Sequence, residues 1–390
     1  MPVLRLADVA RRHGPAYLAQ YRGAMLPSHV RALSAITYCR TPALGGHLGV
    51  CVQCGRRHLL YHSCRHRACP RCGHDATERW LTRQRQQLLP VPYFHVVLTL
   101  PSELRRLVRS HQKALVNVLF RAAYEALAEL CADERHLGGQ IGALAVLHTW
   151  SRTLSYHPHV HLLVPGGALG SDGTWRPARS GAGQPYLVPE RALAKLFAGK
   201  FLAKARRALP PDVSIPTIAA GTRWIANVKP VVPGADAVLR YLGRYVHRTA
   251  IADGALLSCD DDSVSFRYCD SRTHERKTMT LPGHEFLRRF LQHVLPQGLH
   301  RVRAYGLLHS RHRTTLRQLQ LLLAGGTDSA EPEPDDTSPR LRCPHCRQGE
   351  LILIDHLSAE QCFAMLEVLA ITMSTARGPP QPLQPGASSP

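Results

Sequence analysis

The chain has 390 residues, 44% of them hydrophobic, which is enough for two or three folded domains. Its 49 Lys and Arg residues against 28 Asp and Glu give a formal net charge of +21 and a pI near 10.0, so a polyanion, first of all nucleic acid, is the expected partner. No apolar run approaches the ~18 residues of a membrane span, and the first residues lack the apolar core of a signal peptide, so we expect a cytoplasmic protein.

The positive charge is densest in residues 1–100, which carry 14 Lys and Arg against 3 Asp and Glu and also hold a cysteine cluster. "CVQCG" and "CPRCG" place Cys51, Cys54, Cys69 and Cys72 as two CxxC pairs. Each pair lets two thiolates reach one ion from a tight turn, and two pairs complete the tetrahedron that zinc takes. Four protein ligands leave no open position, so we predict a structural zinc ion. A thioredoxin-like redox pair would need a βαβ context that is absent here.

Further ligands near this cluster leave the number of zinc ions open. A second site could be formed by Cys39, His47, Cys64 and His66, with His58, His62 and His74 as competitors. The C-terminal "CPHC" (Cys343 and Cys346) has no second CxxC after it. A ribbon half, a contact with the N-terminal module and idle thiols are all consistent with that pattern.

The residues after the cysteines predict a helix, a strand and a second helix. In "DATERWLTRQRQQLL" (75–89), Asp75 can cap the helix and Glu78 stands three positions later, which is the spacing of a capping box. "YFHVVLTL" (93–100) has the composition of a buried strand. Pro101 then opens a long helix that runs to about Cys131.

Strands and helices mix through the rest of the central segment. The predicted strands are 143–150, 159–164, 263–268 and 276–281, and the predicted helices are 189–209, 234–248, 283–295 and a last one ending near Leu323. This order indicates an α+β fold rather than a doubly wound parallel sheet. An acidic, Pro-rich linker, the CPHC knuckle and a tail of disordered composition follow. We therefore expect three domains, 1–90, 91–324 and 325–390.

The segment "SYHPHVHLLVPGG" (155–167) carries three histidines two residues apart. Alternate residues of a strand share a face, so His159 and His161 project together and can share one metal ion. The apolar run after them anchors the strand. His157 falls on the same face, but Pro158 belongs at a strand start or edge, so we place His157 at the mouth of the site.

Two tyrosines in "LRYLGRYVHR" are a second candidate site. Tyr241 and Tyr245 stand four residues apart, on one face of the predicted helix, and three arginines accompany them: Arg240, Arg244 and Arg248. A phenol can attack a phosphodiester when a metal ion and arginines draw off the phosphate charge. The alternative is an amphipathic helix whose tyrosines pack against the core.

These segments resemble the HUH endonuclease superfamily: "VVLTLP" resembles its first motif, "HPHVH" its His-hydrophobic-His motif and "YLGRY" its tyrosine motif. More narrowly, "CRTPALGGH", "LPVPYFHVVLTLP", "AVLHTWSRTLSYHPHVHLLVPGG" and "YLGRYVHRTAI" resemble the insertion-sequence 91 family of transposases. The match runs in register from about Cys39 to about Arg313. One departure is Ala68, where the family commonly has histidine, and it leaves a second zinc site in doubt.

The resemblance implies an HUH-type antiparallel sheet with flanking helices, preceded by a small zinc-binding module. It also implies cleavage of single-stranded DNA through a 5′-phosphotyrosine intermediate, rolling-circle-like transposition and a catalytic divalent cation, magnesium or manganese. By position, His159 and His161 are implied metal ligands, and Tyr241 and Tyr245 are implied nucleophiles. The motif does not fix the third ligand. We predict His148, on the neighbouring strand, with His157 as the alternative.

The predicted partner is therefore DNA, single-stranded at the cleavage site, and no small-molecule substrate is expected. Six arginines are predicted to contact it: Arg65, Arg67, Arg71, Arg240, Arg244 and Arg248. Two rival functions are a non-catalytic zinc-dependent DNA- or RNA-binding regulator and a plasmid replication initiator or relaxase-like nickase.

Overall fold

The computed structural model describes residues 4–181, 184–218, 222, 224–231, 243, 249–270, 273–324 and 341–366. The chain divides into two compact units, each made of two separate segments. The first unit comprises residues 1–37 and 65–331, and the second comprises residues 38–64 and 332–390. Three consecutive domains were expected from the sequence. The division differs because a C-terminal strand completes a sheet of N-terminal residues. None of the described helices is long and apolar enough to cross a membrane.

Helices and strands are both well represented among the described residues. The helices are α1 (Leu6–Tyr21), α2 (Pro27–Tyr38), α3 (Pro70–Arg85), α4 (Arg105–Ser110), α5 (Gln112–Ala132), α6 (Glu190–Ala208), α7 (Gly283–Leu291) and α8 (Arg313–Leu323). The strands are β1 (Gly46–Cys51), β2 (Arg57–Tyr61), β3 (Tyr93–Thr99), β4 (Gly142–Trp150), β5 (Tyr156–Pro165), β6 (Gly167–Leu169), β7 (Trp175–Pro177), β8 (Arg179–Gly181), β9 (Gln184–Tyr186), β10 (Ile225–Val231), β11 (Leu256–Cys259), β12 (Ser263–Cys269), β13 (Arg276–Pro282), β14 (Val302–Gly306) and β15 (Leu351–Leu357).

The centre of the first unit is a five-stranded sheet in the order β10-β3-β5-β4-β14. Every neighbouring pair in it is antiparallel. The α+β prediction is therefore confirmed. Strand β4 is buried along its whole length, which agrees with its apolar sequence and its place between two other strands.

The two faces of this sheet belong to different apolar clusters. On one face, Val160 and Leu162 of β5 pack in the main core with Phe120 of α5 and Phe197 of α6. On the other face, Val146 and its neighbours pack in a second cluster, which includes two buried leucines of α8 and, partly buried, two residues of α3. Alternation along the strands assigns each side chain to one face.

A second antiparallel sheet of the first unit has the order β11-β12-β13. Phe266 of β12 and Phe286 of α7 meet edge to face, with ring centroids 5.9 Å apart. Helix α7 also contacts α1. This part of the unit matches the predicted strands 263–268 and 276–281 and the helix that follows them.

The second unit is built on a three-stranded sheet in the order β15-β1-β2. Strand β1 pairs antiparallel with both neighbours, so its backbone is held by the chain just after it and by residues 351–357. Leu48 and Leu357 are buried together with Cys362 beneath this sheet. The CPHC knuckle thus belongs to a folded unit with the N-terminal cysteines.

Two helix boundaries differ from the prediction. Helix α3 begins at Pro70 rather than after Asp75, because proline favours the first helical position and Cys69 has the extended backbone of an N-cap. The long helix expected from Pro101 is interrupted at His111, whose φ of −113° and ψ of 46° are not helical, so it forms α4 and α5. The predicted helix 234–248 lies outside the described residues, except for Gly243, which is helical.

Candidate functional site

Three histidines meet on one face of the central sheet. His148 of β4 lies directly opposite His159 of β5, and His161 lies opposite Val146, two residues further along. Because alternate residues of a strand share a face, all three imidazoles project to the same side. One ring nitrogen from each lies within 4.8 Å of the other two. The structure therefore brings together the three histidines that the sequence analysis groups as ligands.

The opposite face of the same strands fixes their position. Val160 and Leu162 alternate with the histidines along β5, and both are fully buried in the main core. Leu147 of β4 is buried in the same cluster, beside His148 in sequence. Side chains carried by such anchored strands are held in place by the packing behind them, as a ligand site requires.

A hydrogen bond orients the imidazole of His159. Its Nδ1 atom lies 2.7 Å from the carbonyl oxygen of His157. A carbonyl oxygen can only accept, so Nδ1 carries the proton and donates it. The lone pair is then on Nε2, which is free to bind a metal ion. Metal-binding histidines usually donate their second nitrogen in this way, because the bond fixes the tautomer.

His157 is held in the opposite tautomer. The Nη2 atom of Arg105 lies 2.8 Å from its Nδ1 atom. A guanidinium can only donate, so Nδ1 accepts and the proton is on Nε2. Burial, with smaller contributions from His159 and Arg105, lowers the pKa of His157 to about 4, which keeps the ring neutral. Its Nε2 is thus a hydrogen-bond donor. This favours His148 over His157 as the third ligand.

His95 of β3 is a neighbour that the sequence analysis missed. Its Nε2 atom lies 2.8 Å from Nδ1 of His161, and the two rings are stacked with an interplanar angle of 3°. Burial, helped by Lys229 and His159, lowers the pKa of His95 to about 4, so it is neutral at neutral pH. It can accept the Nδ1 proton of His161 and leave Nε2 of that ring for a metal ion. The sequence signal that could have identified His95 was the alternation of side chains between the two faces of β3.

The chemistry of this donor set suits a transition metal. Burial lowers the pKa of His159 and keeps its lone pair unprotonated. Nitrogen ligands favour divalent ions in an order that rises from Mn²⁺ to Co²⁺ and beyond, whereas Mg²⁺ prefers oxygen ligands. The three imidazoles therefore fit a divalent transition metal better than magnesium.

The predicted nucleophiles Tyr241 and Tyr245 lie outside the described residues, as do Arg240, Arg244 and Arg248. Gly243, between the two tyrosines, is described. A Cβ atom placed on it would lie 3.1 Å from Cδ1 of Leu81 on α3. Leu81 in turn packs against the apolar cluster on the same sheet face as the histidines.

In the second unit, four cysteines form a compact group: Cys51, Cys54, Cys343 and Cys346. The Sγ atoms of Cys51 and Cys346 lie 3.6 Å apart, and those of Cys54 and Cys343 lie 3.8 Å apart. A tetrahedral site with Zn–S bonds of about 2.3 Å would place its sulfurs about 3.8 Å from one another. These four residues therefore fit zinc.

This group corrects the predicted pairing of Cys51 and Cys54 with Cys69 and Cys72. The reason is the pairing of β1 with β15, which carries the CPHC knuckle to the CVQCG turn. Of the three interpretations left open for CPHC, the structure supports a contact with the N-terminal module. Gly349 is required here, because a Cβ atom on it would collide with the Sγ atom of Cys51.

Polar groups around the knuckle stabilise thiolates. The backbone N–H of Gly349 lies 3.3 Å from Sγ of Cys346, and this donor, followed by the N–H of Gln348, lowers the pKa of Cys346 to about 6. Nε2 of His58 lies 3.3 Å from Sγ of Cys343. Because zinc binds thiolates, the N–H contacts to Cys346 favour occupancy.

Four further cysteines form two close pairs. Cys39 and Cys64, in the second unit, have sulfurs within 4.8 Å of each other, and so do Cys69 and Cys72, in the first turn of α3 in the first unit. The histidines proposed for a second zinc site have other contacts. His47 lies beside His62 and His356, and Nδ1 of His66 accepts a hydrogen bond from Ala68.

One of the arginines predicted to contact DNA is otherwise engaged. Arg67 donates hydrogen bonds of 2.6–2.7 Å to the carbonyl oxygens of Leu295, Pro296 and Leu299. Arg67 thus has a structural role, and its contact with DNA stays a prediction. Arg65 is exposed, and Arg71 is partly buried. Two exposed arginines that the sequence analysis did not single out, Arg56 and Arg57, follow Cys54 and Gly55.

Comparisons with protein families match most of the chain. A family described as "Putative transposase" matches residues 142–315, which include the three histidines and the tyrosine segment. A family described as "Transposase zinc-binding domain" matches residues 9–100. No solved structure matches the chain.

Two curated proteins are similar over much of their length. "Putative transposase y4qJ" of Sinorhizobium fredii (strain NBRC 101917 / NGR234) is 40% identical over 381 residues, which cover 90% of this chain and 94% of that protein. "Transposase for insertion sequence element IS801" of Pseudomonas savastanoi pv. phaseolicola is 28% identical over 307 residues, or 74% of this chain and 72% of that protein.

Proposed function

The chain belongs to the insertion-sequence 91 family of transposases, and from that premise we propose that it cuts single-stranded DNA at the ends of a mobile element and joins itself to the 5′ end. The observation that carries this proposal is the group of His148, His159 and His161, with ring nitrogens within 4.8 Å of one another on a rigid sheet. This arrangement suits the orientation of a scissile phosphate.

A divalent metal ion bound by these histidines would withdraw charge from the phosphate oxygens. His159 and His161 present Nε2 to that ion, held by the carbonyl of His157 and by His95 respectively. His157, which the sequence predicts at the mouth of the group, would donate a hydrogen bond from Nε2–H to a phosphate oxygen.

The bond change is a transesterification. The phenolic oxygen of Tyr241 or Tyr245 forms a bond to phosphorus as the bond from phosphorus to the 3′ oxygen breaks. The phenol loses its proton and the 3′ oxygen gains one, so the products are a 5′-phosphotyrosine and a free 3′-OH. The phosphodiester energy is kept in the covalent intermediate and allows the later strand transfer. Two tyrosines allow one to stay loaded while the other cuts.

We propose that a zinc ion holds the second unit together and takes no part in the reaction. Four thiolates leave no open position for a substrate on a zinc ion at Cys51, Cys54, Cys343 and Cys346. The exposed Arg56, Arg57 and Arg65 would contact phosphates at the element end.

The test of the proposed chemistry is covalent capture. Tyr241→Phe with Tyr245→Phe should abolish the covalent adduct with an end-derived single-stranded oligonucleotide, while zinc content and DNA binding persist. The matched control is Tyr38→Phe with Tyr186→Phe, which alters two exposed tyrosines and should leave the adduct unchanged. An undiminished adduct in the first variant would refute the proposed nucleophiles. Cleavage at a plasmid origin instead of an element end would indicate a replication initiator.

A further inference from the structure

A wide groove follows β14, an edge strand of the central sheet. It measures about 950 Å³ and lies within the first unit. Its walls come from the end of α3 (Gln86 and Gln87), from Asn117 of α5 and from α8. Neither the zinc site of the second unit nor the histidine group contributes a residue to it.

The lining of the groove is basic. It includes Arg303 of β14 and Arg313 and Arg317 of α8, together with His300 and His309, and none of the described lining residues is an aspartate or a glutamate. Arg313 and Arg317 stand four residues apart on one exposed face of α8. No ion pair found in the described part of the chain engages Arg303 or Arg313. The groove therefore attracts anions along its length.

Two side chains of β14 are held in fixed positions in this groove. The guanidinium carbon of Arg303 lies 4.3 Å from the centre of the Phe120 ring, and its Nη2 donates to Oδ1 of Asn117 at 2.6 Å. The ring of Tyr305 stacks on Tyr124, with centroids 4.8 Å apart. An oriented guanidinium costs little further ordering when a phosphate arrives, and a partly exposed aromatic ring such as Tyr305 can stack on a base.

The groove begins beside the histidine group. Strand β14 pairs with β4, and the N–H of Leu147 donates to the carbonyl oxygen of Arg301. His148 is the next residue of β4, and His300 of the groove precedes Arg301. Arg303 and Tyr305 point to the other face of the sheet, where Phe120 and Tyr124 lie, so a strand of DNA that passes the histidines would cross the β14 edge to reach them.

We propose that this groove binds single-stranded DNA adjoining the cleavage site, through phosphate contacts to Arg303, Arg313 and Arg317 and base stacking at Tyr305. The proposal rests on the proposed function for its choice of polyanion. Arginines combined with an aromatic face are the combination that sequence-tolerant single-strand binding uses. The groove would keep the cut strand aligned without reading its sequence.

The experiment compares two double variants of equal charge change. Arg313→Ala with Arg317→Ala removes two groove cations, whereas Arg206→Ala with Arg207→Ala removes two exposed cations from the end of α6, outside the groove. Binding of a fluorescein-labelled oligodeoxythymidine is followed by fluorescence anisotropy from about 50 mM to 200 mM salt, without added divalent metal. Each lost phosphate contact reduces the slope of log affinity against log salt concentration by about 0.7. The slope for the groove variant should therefore be smaller by about 1.4, and this variant should bind roughly tenfold more weakly.

Three outcomes would overturn the proposal. The two double variants could bind equally, or Arg303→Gln, which keeps a polar side chain beside Asn117, could bind as tightly as the wild type. The groove variant could also lose as much affinity for a duplex of the same length, which would contradict a preference for single strands. Because binding is measured without cleavage, these outcomes are independent of the covalent capture test. Absence of a covalent adduct in the wild-type protein would instead contradict the proposed function.

Discussion

The sulfur atoms of Cys51 and Cys346 lie 3.6 Å apart although 295 residues separate them in the chain. This contact closes the second unit, whose sheet is formed by β1, β2 and the C-terminal β15. A zinc ion held there would tie the two ends of a discontinuous unit together. Metal binding and folding of this unit should therefore be coupled, because the four thiolates are assembled only when β15 pairs with β1.

The first prediction concerns zinc content. Cys343→Ser with Cys346→Ser should release one zinc ion per chain and lower the thermal unfolding temperature, because two of the four ligands at the knuckle are lost. Zinc is measured in the purified protein by mass spectrometry after extensive dialysis. Cys259→Ser with Cys269→Ser is the control, since neither residue belongs to a described cysteine group, and it should keep all its zinc. Unchanged zinc content in the knuckle variant would disprove the assignment.

The cysteine spacing predicted zinc but grouped the ligands wrongly. Two CxxC pairs close in sequence looked sufficient, and the strand that brings Cys343 and Cys346 to Cys51 carries no sequence signal for its partner. Strand pairing between distant segments depends on tertiary packing, which local patterns do not encode. The histidine group was easier to predict from the sequence, because His159 and His161 share a strand and the alternation of side chains alone places them together.

The second prediction concerns the metal at the histidine group. Three imidazoles, with no carboxylate grouped with them among the described residues, should bind Co²⁺ more tightly than Mn²⁺, and Mn²⁺ more tightly than Mg²⁺. Isothermal titration of the zinc-loaded protein with each ion measures this order. The control is His159→Ala with His161→Ala, which should lose this binding and keep its structural zinc. Tighter binding of Mg²⁺ than Mn²⁺ would mean that oxygen ligands outside the described residues dominate the site.

The third prediction assigns a positioning role to His95. It touches His161 through a 2.8 Å contact between ring nitrogens, and it does not belong to the ligand group. His95→Ala should weaken Mn²⁺ binding by about 10- to 100-fold, the usual loss when such an outer partner is removed. His95→Asn, which keeps a polar side chain at this position, should restore part of the affinity.

A purely structural role for His95 would give a different result. In that case both variants would lower the unfolding temperature without changing the Mn²⁺ affinity of the folded protein. Partial rescue by asparagine in the affinity measurement distinguishes the two roles. Equal Mn²⁺ affinity in the wild type and His95→Ala would rule out the positioning role.

The helices show where sequence patterns reach their limit. The apolar spacing from residue 101 to Cys131 is continuous, and only the backbone at His111 reveals that two helices meet there. The start of α3 depends on Pro70 and on the extended backbone of Cys69, whereas the capping pattern at Asp75 was equally plausible in sequence. The ends of helices are decided by such local competition. The strands of the central sheet are easier to predict, because they have long apolar runs.

The last prediction concerns acid stability and follows from His293. This imidazole is buried, its Nε2–H donates to the carbonyl oxygen of Leu154 at 3.1 Å, and its Nδ1 lies 3.2 Å from the hydroxyl of Thr149. Burial is the main cause that lowers its pKa to about 3, and the nearby Arg109 and Arg301 act in the same direction. In the unfolded chain the value is about 6.5.

Between these two pKa values the unfolded chain binds a proton at this position and the folded chain does not, so acid favours unfolding. The stabilising contribution is complete above about pH 6.5 and is lost as the pH falls towards 3, by at most about 1.4 kcal/mol per pH unit.

His293→Gln, which can keep both hydrogen bonds but does not titrate, should flatten this part of the curve of unfolding free energy against pH. Urea unfolding followed by tryptophan fluorescence at several pH values measures the slope. His274→Gln, on the surface, is the control. A slope remains in His293→Gln because burial also lowers the pKa of His29, His95 and His157 to about 4. The prediction is therefore a reduced slope, and an unchanged slope would show that His293 does not contribute.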